Sequence, residues 1–216
     1  AVGRVLDQLR AMKVFDDTLI LFLSDNGASA EVMVRGDGHD PKAPLGSAYT
    51  YLCLGAGWST VCNTPFRMHK TWVHEGGTCT PLVVHWPKGI KGRGELRATP
   101  GHVIDMVPTI LELAGLPKAY PPPNAPAGPA RSLVSAFAKD VPIKRNSIWW
   151  FHDGHRAIRV EDWKLVSLEN QPWELFHLGK DRTETRNLAG QMPGKVRELE
   201  KLWLARQAEF LKHATR

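Results

Sequence analysis

Thr18-Leu19-Ile20-Leu21-Phe22-Leu23-Ser24-Asp25-Asn26-Gly27 is the stretch that decides the fold. Thr18 to Ser24 is a continuous apolar run of strand length. It has the form of a strand buried on both faces, as in a parallel sheet covered by helices. Asp25 and Asn26 follow at once, and in open α/β sheets ligands bind beyond the carboxyl ends of the strands. A carboxylate beside an amide oxygen suits a hard cation, Ca²⁺ or Mg²⁺, rather than a soft metal. On the tripeptide Asp25-Asn26-Gly27 alone, an ordinary turn is the better reading.

Upstream, Val2, Val5, Leu6, Leu9 and Met12 share one helical face, with Arg4, Asp7 and Arg10 on the other. An amphipathic helix before a buried strand is an α-then-β unit. It is not a charged segment followed by an apolar core, so it does not read as a signal peptide. The chain reads as one that starts in mid-domain.

Downstream, residues 27–70 hold few periodic segments and read as a long, ordered, functional loop region. Pro81 to Trp86 is a second short strand, ended by Pro87-Lys88-Gly89. Val103 to Ala114 reads as a helix with Pro108 in its first turn and Gly115 as its stop. Residues 116–146, with Pro121-Pro122-Pro123, form a connection carrying one short helix near Leu133 to Ala138. Four short strands at close spacing follow, at Ser147–Phe151, Ala157–Val160, Trp163–Leu168 and Trp173–Phe176, which predicts an antiparallel meander. Val196 to Leu211 is an amphipathic helix.

Composition sets the outer limits. With 43% hydrophobic and 23% charged residues the chain is globular in type, and no apolar run approaches the ~20 residues of a membrane span. The net charge of +6 comes from scattered Lys and Arg, without the basic run or aromatic-basic repeat of a nucleic-acid binder. Three cysteines, Cys53, Cys62 and Cys79, form no zinc spacing.

Lys70 lies in Pro65-Phe66-Arg67-Met68-His69-Lys70-Thr71-Trp72-Val73-His74-Glu75-Gly76-Gly77. Its ammonium is a compact charge that can sit on sulfate or phosphate, and Gly76-Gly77 allow close backbone approach. A surface lysine before a turn fits the same residues. The order of Ser24-Asp25-Asn26-Gly27, Lys70…Glu75-Gly76-Gly77…Pro81 and Asp105…Pro108-Thr109-Ile110…Ala114-Gly115 resembles the sulfatase family. So do Gly154-His155-Arg156-Ala157, Asp162-Trp163-Lys164-Leu165 and Trp173-Glu174-Leu175-Phe176, so the resemblance covers nearly the whole chain.

The resemblance implies an α/β fold. Residues 1–142 would be the C-terminal part of an alkaline-phosphatase-like mixed or parallel sheet covered by helices. Residues 143–216 would be a small α+β subdomain with an antiparallel sheet and a C-terminal helix. The implied activity is arylsulfatase-like hydrolysis of a sulfate ester, on a small molecule or a sulfated glycan, in a periplasmic or secreted setting. Asp25 and Asn26 match two ligands of a divalent cation, usually Ca²⁺, and Lys70 matches the lysine that contacts the sulfate. His152, in Trp150-Phe151-His152-Asp153-Gly154, falls on a stretch that in similar sulfatases approaches the mouth of the site; a partly exposed turn histidine fits it too.

The family's nucleophile is a formylglycine made from Cys or Ser in a Cys/Ser-x-Pro-x-Arg motif. No such motif occurs here, since Cys79-Thr80-Pro81 continues as Leu82-Val83. The expectation is therefore that the nucleophile segment and further ligands precede residue 1, and that the 216 residues alone are inactive. A truncated binding or assembly module, and a phosphonate or phosphodiester hydrolase of the same superfamily, are the alternatives. Cys62 and Cys79 flank the Lys70 segment; a disulfide between them and two small buried thiols are both open readings.

Overall fold

The computed structural model describes residues 1–31, 40–44, 46–50, 53–116, 121 and 128–214. The chain forms two compact units. One comprises Ala1–Ser24 and Pro81–Asn146, the other Asp25–Thr80 and Ser147–Arg216. The expected division at 142 runs along the chain, whereas these units interleave.

In the first unit, helix α1 (Val2–Ala11) leads through a 3-10 turn (Phe15–Asp17) into strand β1 (Ile20–Leu23). β1 pairs antiparallel with β2 (Leu82–His85), Phe22 opposite Val83. The pair is thus the antiparallel form of the expected mixed sheet. It is not buried on both faces, for Phe22 is 57% exposed and Val83 lies open beside it. A 3-10 turn (Val103–Asp105) and helix α4 (Met106–Leu113) follow, with Pro108 in the first turn and Gly115 closing the end in a left-handed conformation. Helix α5 (Val134–Ala138) stands where a short helix was expected.

Asp105 anchors this unit. It is fully buried, its Oδ2 lies 2.6 Å from Arg145 Nη2, and its two oxygens accept from the backbone N–H of Arg131 and of His102. Thr109 Oγ1 donates to Asp105 O and accepts from Leu133 N–H. The Asp105…Thr109 motif therefore ties the 128–133 strap to α4. Apolar surface stays open at Val2, Val5, Phe22, Val83, Val107 and Ile110, and α1 has no buried residue. Two strands and short helices do not enclose a core by themselves.

The second unit is built on a four-stranded antiparallel meander, β3 (Ile148–His152), β4 (His155–Val160), β5 (Trp163–Ser167) and β6 (Glu174–His177), in that spatial order. Successive side chains point to opposite faces. Ile158, Leu165 and Leu175 pack on Leu199 and Trp203 of helix α6 (Pro193–Ala214). Ala157, Val166 and Phe176 pack on Val73 and Leu178. Both faces are buried, and the second is covered by the segment that carries Lys70.

Two expectations are corrected between Gly27 and Thr78. Helix α2 (Gly55–Asn63) lies inside the stretch read as loop, and Glu75–Thr78 forms a one-turn helix, α3, where a turn was read. α2 escaped the reading because Gly, Ser, Thr and Asn are poor helix formers without a clear apolar stripe. Tertiary bonds from Ser59 and Asn63 hold it. The loop reading for 32–39, 45 and 51–52, and the connecting stretch at 117–120 and 122–127, lie outside the described residues.

Candidate active site

Three short segments of the second unit meet at α3. The backbone N–H of Gly27 donates to Gly77 O at 2.9 Å, and that of Lys70 donates to Ala28 O at 3.0 Å. These bonds lay the Asp25–Ala28 loop beside the Lys70 segment. The fit needs glycine at three positions. A Cβ on Gly27 would strike the Gly76 carbonyl, one on Gly76 would strike the Arg67 and Met68 carbonyls, and one on Gly77 would strike the Trp72 carbonyl. α2 braces the same loop: Asn63 Oδ1 accepts from Ala28 N–H at 2.8 Å, and Ser59 Oγ donates to Ala28 O at 2.8 Å. Ser59 Oγ also lies 2.6 Å from His69 Nδ1.

Lys70 is exposed, as is Asp25; Asn26 is half-buried. Lys70 stands between Met68 at φ 68° and Thr71 at φ 89°. A β-branched residue in the left-handed region is strained, and such strain concentrates at functional sites. Asp25 and Asn26 offer the right donor chemistry for a hard cation. They are two donors against the 6–8 oxygens Ca²⁺ takes, and among the described residues no group of three or more His, Cys, Asp or Glu could hold a metal.

His152 is exposed and lies 3.5 Å from Asp153. The histidine that reaches the Lys70 segment is its cross-strand partner His155, whose ring sits 6.1 Å from Trp72, itself 5.7 Å from His69. Burial, more than any neighbouring charge, holds His155 below the usual imidazole value.

The disulfide reading is corrected. Cys62 and Cys79 are free thiols: Cys62 is exposed on α2, and Cys79 Sγ lies 2.9 Å from Arg182 Nη2. Nor are they two buried thiols, since only Cys79 is partly enclosed. Burial pushes the Cys79 thiol up, and the Glu75 carboxylate adds to the effect.

Sequence reasoning missed what holds α3. Lys164, on the Val73-facing side of β5, is 0% exposed. Its Nζ lies 2.8 Å from Glu75 Oε1 and 3.0 Å from Glu184 Oε1. Glu184 Oε2 accepts from Glu75 N–H at 2.8 Å. Arg182 stands 3.4 Å from the other Glu75 oxygen. Burial alone would raise the Glu75 carboxyl, but Lys164, Arg182 and Arg159 together outweigh it and hold the group below its ordinary range.

A second pair lies alongside. His74, fully buried, places Nε2 2.8 Å from Glu174 Oε2, and Arg67 reaches Glu174 at 3.5 Å and the Glu184 carbonyl at 3.0 Å. The hydrogen bond from His74 holds the Glu174 carboxyl down against its burial, with Arg67 assisting. A carboxyl depressed in the folded state adds stability that is fully present above its unfolded value, about 4.3 for glutamate. That stability is lost as pH falls through the lower folded value. Glu174→Gln should therefore flatten the acid limb of the unit's stability curve below about pH 4.5, as measured by circular dichroism. A limb as steep as wild type would contradict the pairing.

The α/β fold aligns with that of a solved structure described with the metabolism of multiple glycosaminoglycans by Bacteroides thetaiotaomicron, at TM-score 0.69 and 21% identity, covering 96% of this chain and 42% of that one. A family model described as Sulfatase matches residues 1–116, and one described as N-sulphoglucosamine sulphohydrolase, C-terminal, matches residues 66–207. The chain belongs to the sulfatase family. It is 29% identical over 229 residues to an uncharacterized sulfatase of Schizosaccharomyces pombe, covering 96% of this chain and 41% of that protein. Over 216 residues it is 24% identical to the N-acetylgalactosamine-6-O-sulfatase of Bacteroides thetaiotaomicron, covering 93% of this chain and 38% of that protein. It thus spans about two fifths of the length of these curated relatives.

Proposed function

We propose that these residues are the C-terminal portion of an enzyme that hydrolyses sulfate esters, with a sulfated sugar as the substrate class. The observation that carries this reading is the backbone pairing of the Asp25–Ala28 loop with the Lys70 segment through α3. With Asp25 and Asn26 on one loop and the exposed Lys70 on the segment bonded to it, the arrangement supports a reading in which a hard cation and an ammonium bind a sulfate group. Membership of the sulfatase family and the similarity to a sugar sulfatase support the choice of ester.

In this reading Asp25 and Asn26 are ligands of Ca²⁺ or Mg²⁺, which when bound would neutralise charge on the sulfate oxygens. Lys70 holds and orients the same group. The nucleophile must come from outside these residues, since no Cys/Ser-x-Pro-x-Arg run occurs in them. The open apolar surface of the first unit, at Phe22, Val83, Val107 and Ile110, suits packing against the rest of such an enzyme's α/β domain.

The purified 216-residue chain should therefore show no metal-dependent turnover of an aryl sulfate. Turnover at ordinary enzyme rates of ~1–10³ s⁻¹ would overturn the assignment of the nucleophile. Sequencing the DNA upstream of Ala1 tests the enzymatic reading itself. An in-frame Cys- or Ser-x-Pro-x-Arg supports it; a preceding frame without that motif favours a non-catalytic module.

A further inference from the structure

We propose that Lys164 is a positioning residue for the candidate site: by gripping Glu75 together with Glu184, it fixes the α3 turn that holds the Asp25–Ala28 loop against the Lys70 segment. The inference rests on the sulfatase reading for its purpose, but not for its geometry.

The chain of contacts is continuous. Lys164 comes from the middle of β5, in a sheet whose register is set by Arg159 on one side and Phe176 on the other. Its ammonium is fully buried between two carboxylates, at 2.8 Å and 3.0 Å. Glu184 completes a closed ring, because its second oxygen takes the N–H of Glu75. α3 then passes the restraint on in two directions. Gly76 N–H donates to Arg67 O at 2.9 Å, which fixes the entry to the Lys70 segment. Gly77 O receives Gly27 N–H at 2.9 Å, which fixes the loop of Asp25 and Asn26. No part of this path depends on side-chain contact with Lys70, so its ammonium stays available to a ligand.

Burial of an ion triplet is weak evidence for stability, since well-packed apolar residues often serve as well. Such triplets are better explained where they specify one geometry. Here α3 is a single turn with two adjacent glycines, which carries little conformational preference of its own. An external grip is what such a turn needs.

The test is amide hydrogen exchange on the 216-residue chain, read residue by residue by NMR. Lys164→Met keeps the stem and removes the charge. The expected result is exchange faster by about ten-fold or more at Gly27, Lys70, Gly76 and Gly77. The amides of Leu178 and Leu188, bonded to Asp162 O and Leu175 O elsewhere in the unit, should quicken by a clearly smaller factor, set by the unit's overall loss of stability. Uniform acceleration of all six amides would overturn the proposal, because it marks an ordinary core contact. Unchanged loop rates would overturn it as well. Should Lys164→Met fail to fold, Glu184→Gln carries the test. It keeps an acceptor for Glu75 N–H while removing one charge, and the same loop-selective pattern is expected. The pattern does not involve turnover, so it stands or falls separately from the activity and upstream-DNA tests of the sulfatase reading.

Discussion

Lys164→Ala should destabilise the unit formed by 25–80 and 147–216 by about 3–5 kcal/mol at neutral pH, the range for breaking a buried ion pair from one side. The substitution leaves Glu75 and Glu184 facing each other with both charges and no cation between them. Two like charges in one buried site raise the proton affinity of one of them. The deficit should therefore shrink as pH falls from 7 toward 5, opposite to the usual acid weakening of a carboxylate pair. Urea unfolding followed by tryptophan fluorescence reports this unit almost alone, because of the eight tryptophans only Trp86 lies in the other one. A loss under about 1 kcal/mol would place the triplet with exposed pairs in energetic terms.

Trp203→Ala should be comparably severe, at about 3–5 kcal/mol for a buried aromatic removed from a core. Trp203 is 2% exposed at the centre of an aromatic cluster. Its ring centroid is 5.5 Å from Trp149, 5.9 Å from Phe151 and 6.0 Å from Trp173. Its Nε1–H donates to Trp150 O at 3.1 Å, and its own carbonyl accepts from Trp149 Nε1–H. Alanine leaves a cavity among those rings and removes the hydrogen bond to Trp150 O. Near-UV circular dichroism should lose the signal of coupled indoles, and the urea midpoint should fall. Trp58→Ala, at a residue 67% exposed on α2, is the control and should stay within about 0.5 kcal/mol of wild type. Equal losses at both positions would mean that α6 does not dock as described.

How far the sequence carried the reading depends on whether local pattern and tertiary need agree. The meander and α6 were legible because short strands with turn signals and a long amphipathic repeat mark themselves. The Asp25-Asn26 loop and the Lys70 segment were picked out by motif order, and the backbone pairing brings them together. Lys164 was not legible, for a specific reason. In Trp163-Lys164-Leu165 the alternation reads as a strand with its polar residue in water, yet this sheet is covered on both faces. The available signal was Val166, Ala157 and Phe176, apolar residues on Lys164's own face. α2 and the free state of Cys62 were hidden for another reason: each is set by partners distant in sequence. The exposed Phe22 shows the limit of the apolar-run rule, since such a run says a strand wants cover and not that these residues supply it.

The grip on α3 joins residues 89 positions apart from Lys164 to Glu75, and 117 apart from Glu184 to Arg67. On a ribosome adding ~5–20 residues per second, the loop that presents Lys70 emerges roughly 5–20 seconds before the residues that hold it. During that interval Val73 and the glycine turn lack the complete sheet they lie on, and a nascent chain stopped anywhere before β6 leaves them so. The residues from Lys164 to Glu184 therefore act as a timer for the candidate site: Lys70 and Asp25 are translated before them, and α3 between them gains its grip only when β5, β6 and the following loop have been made.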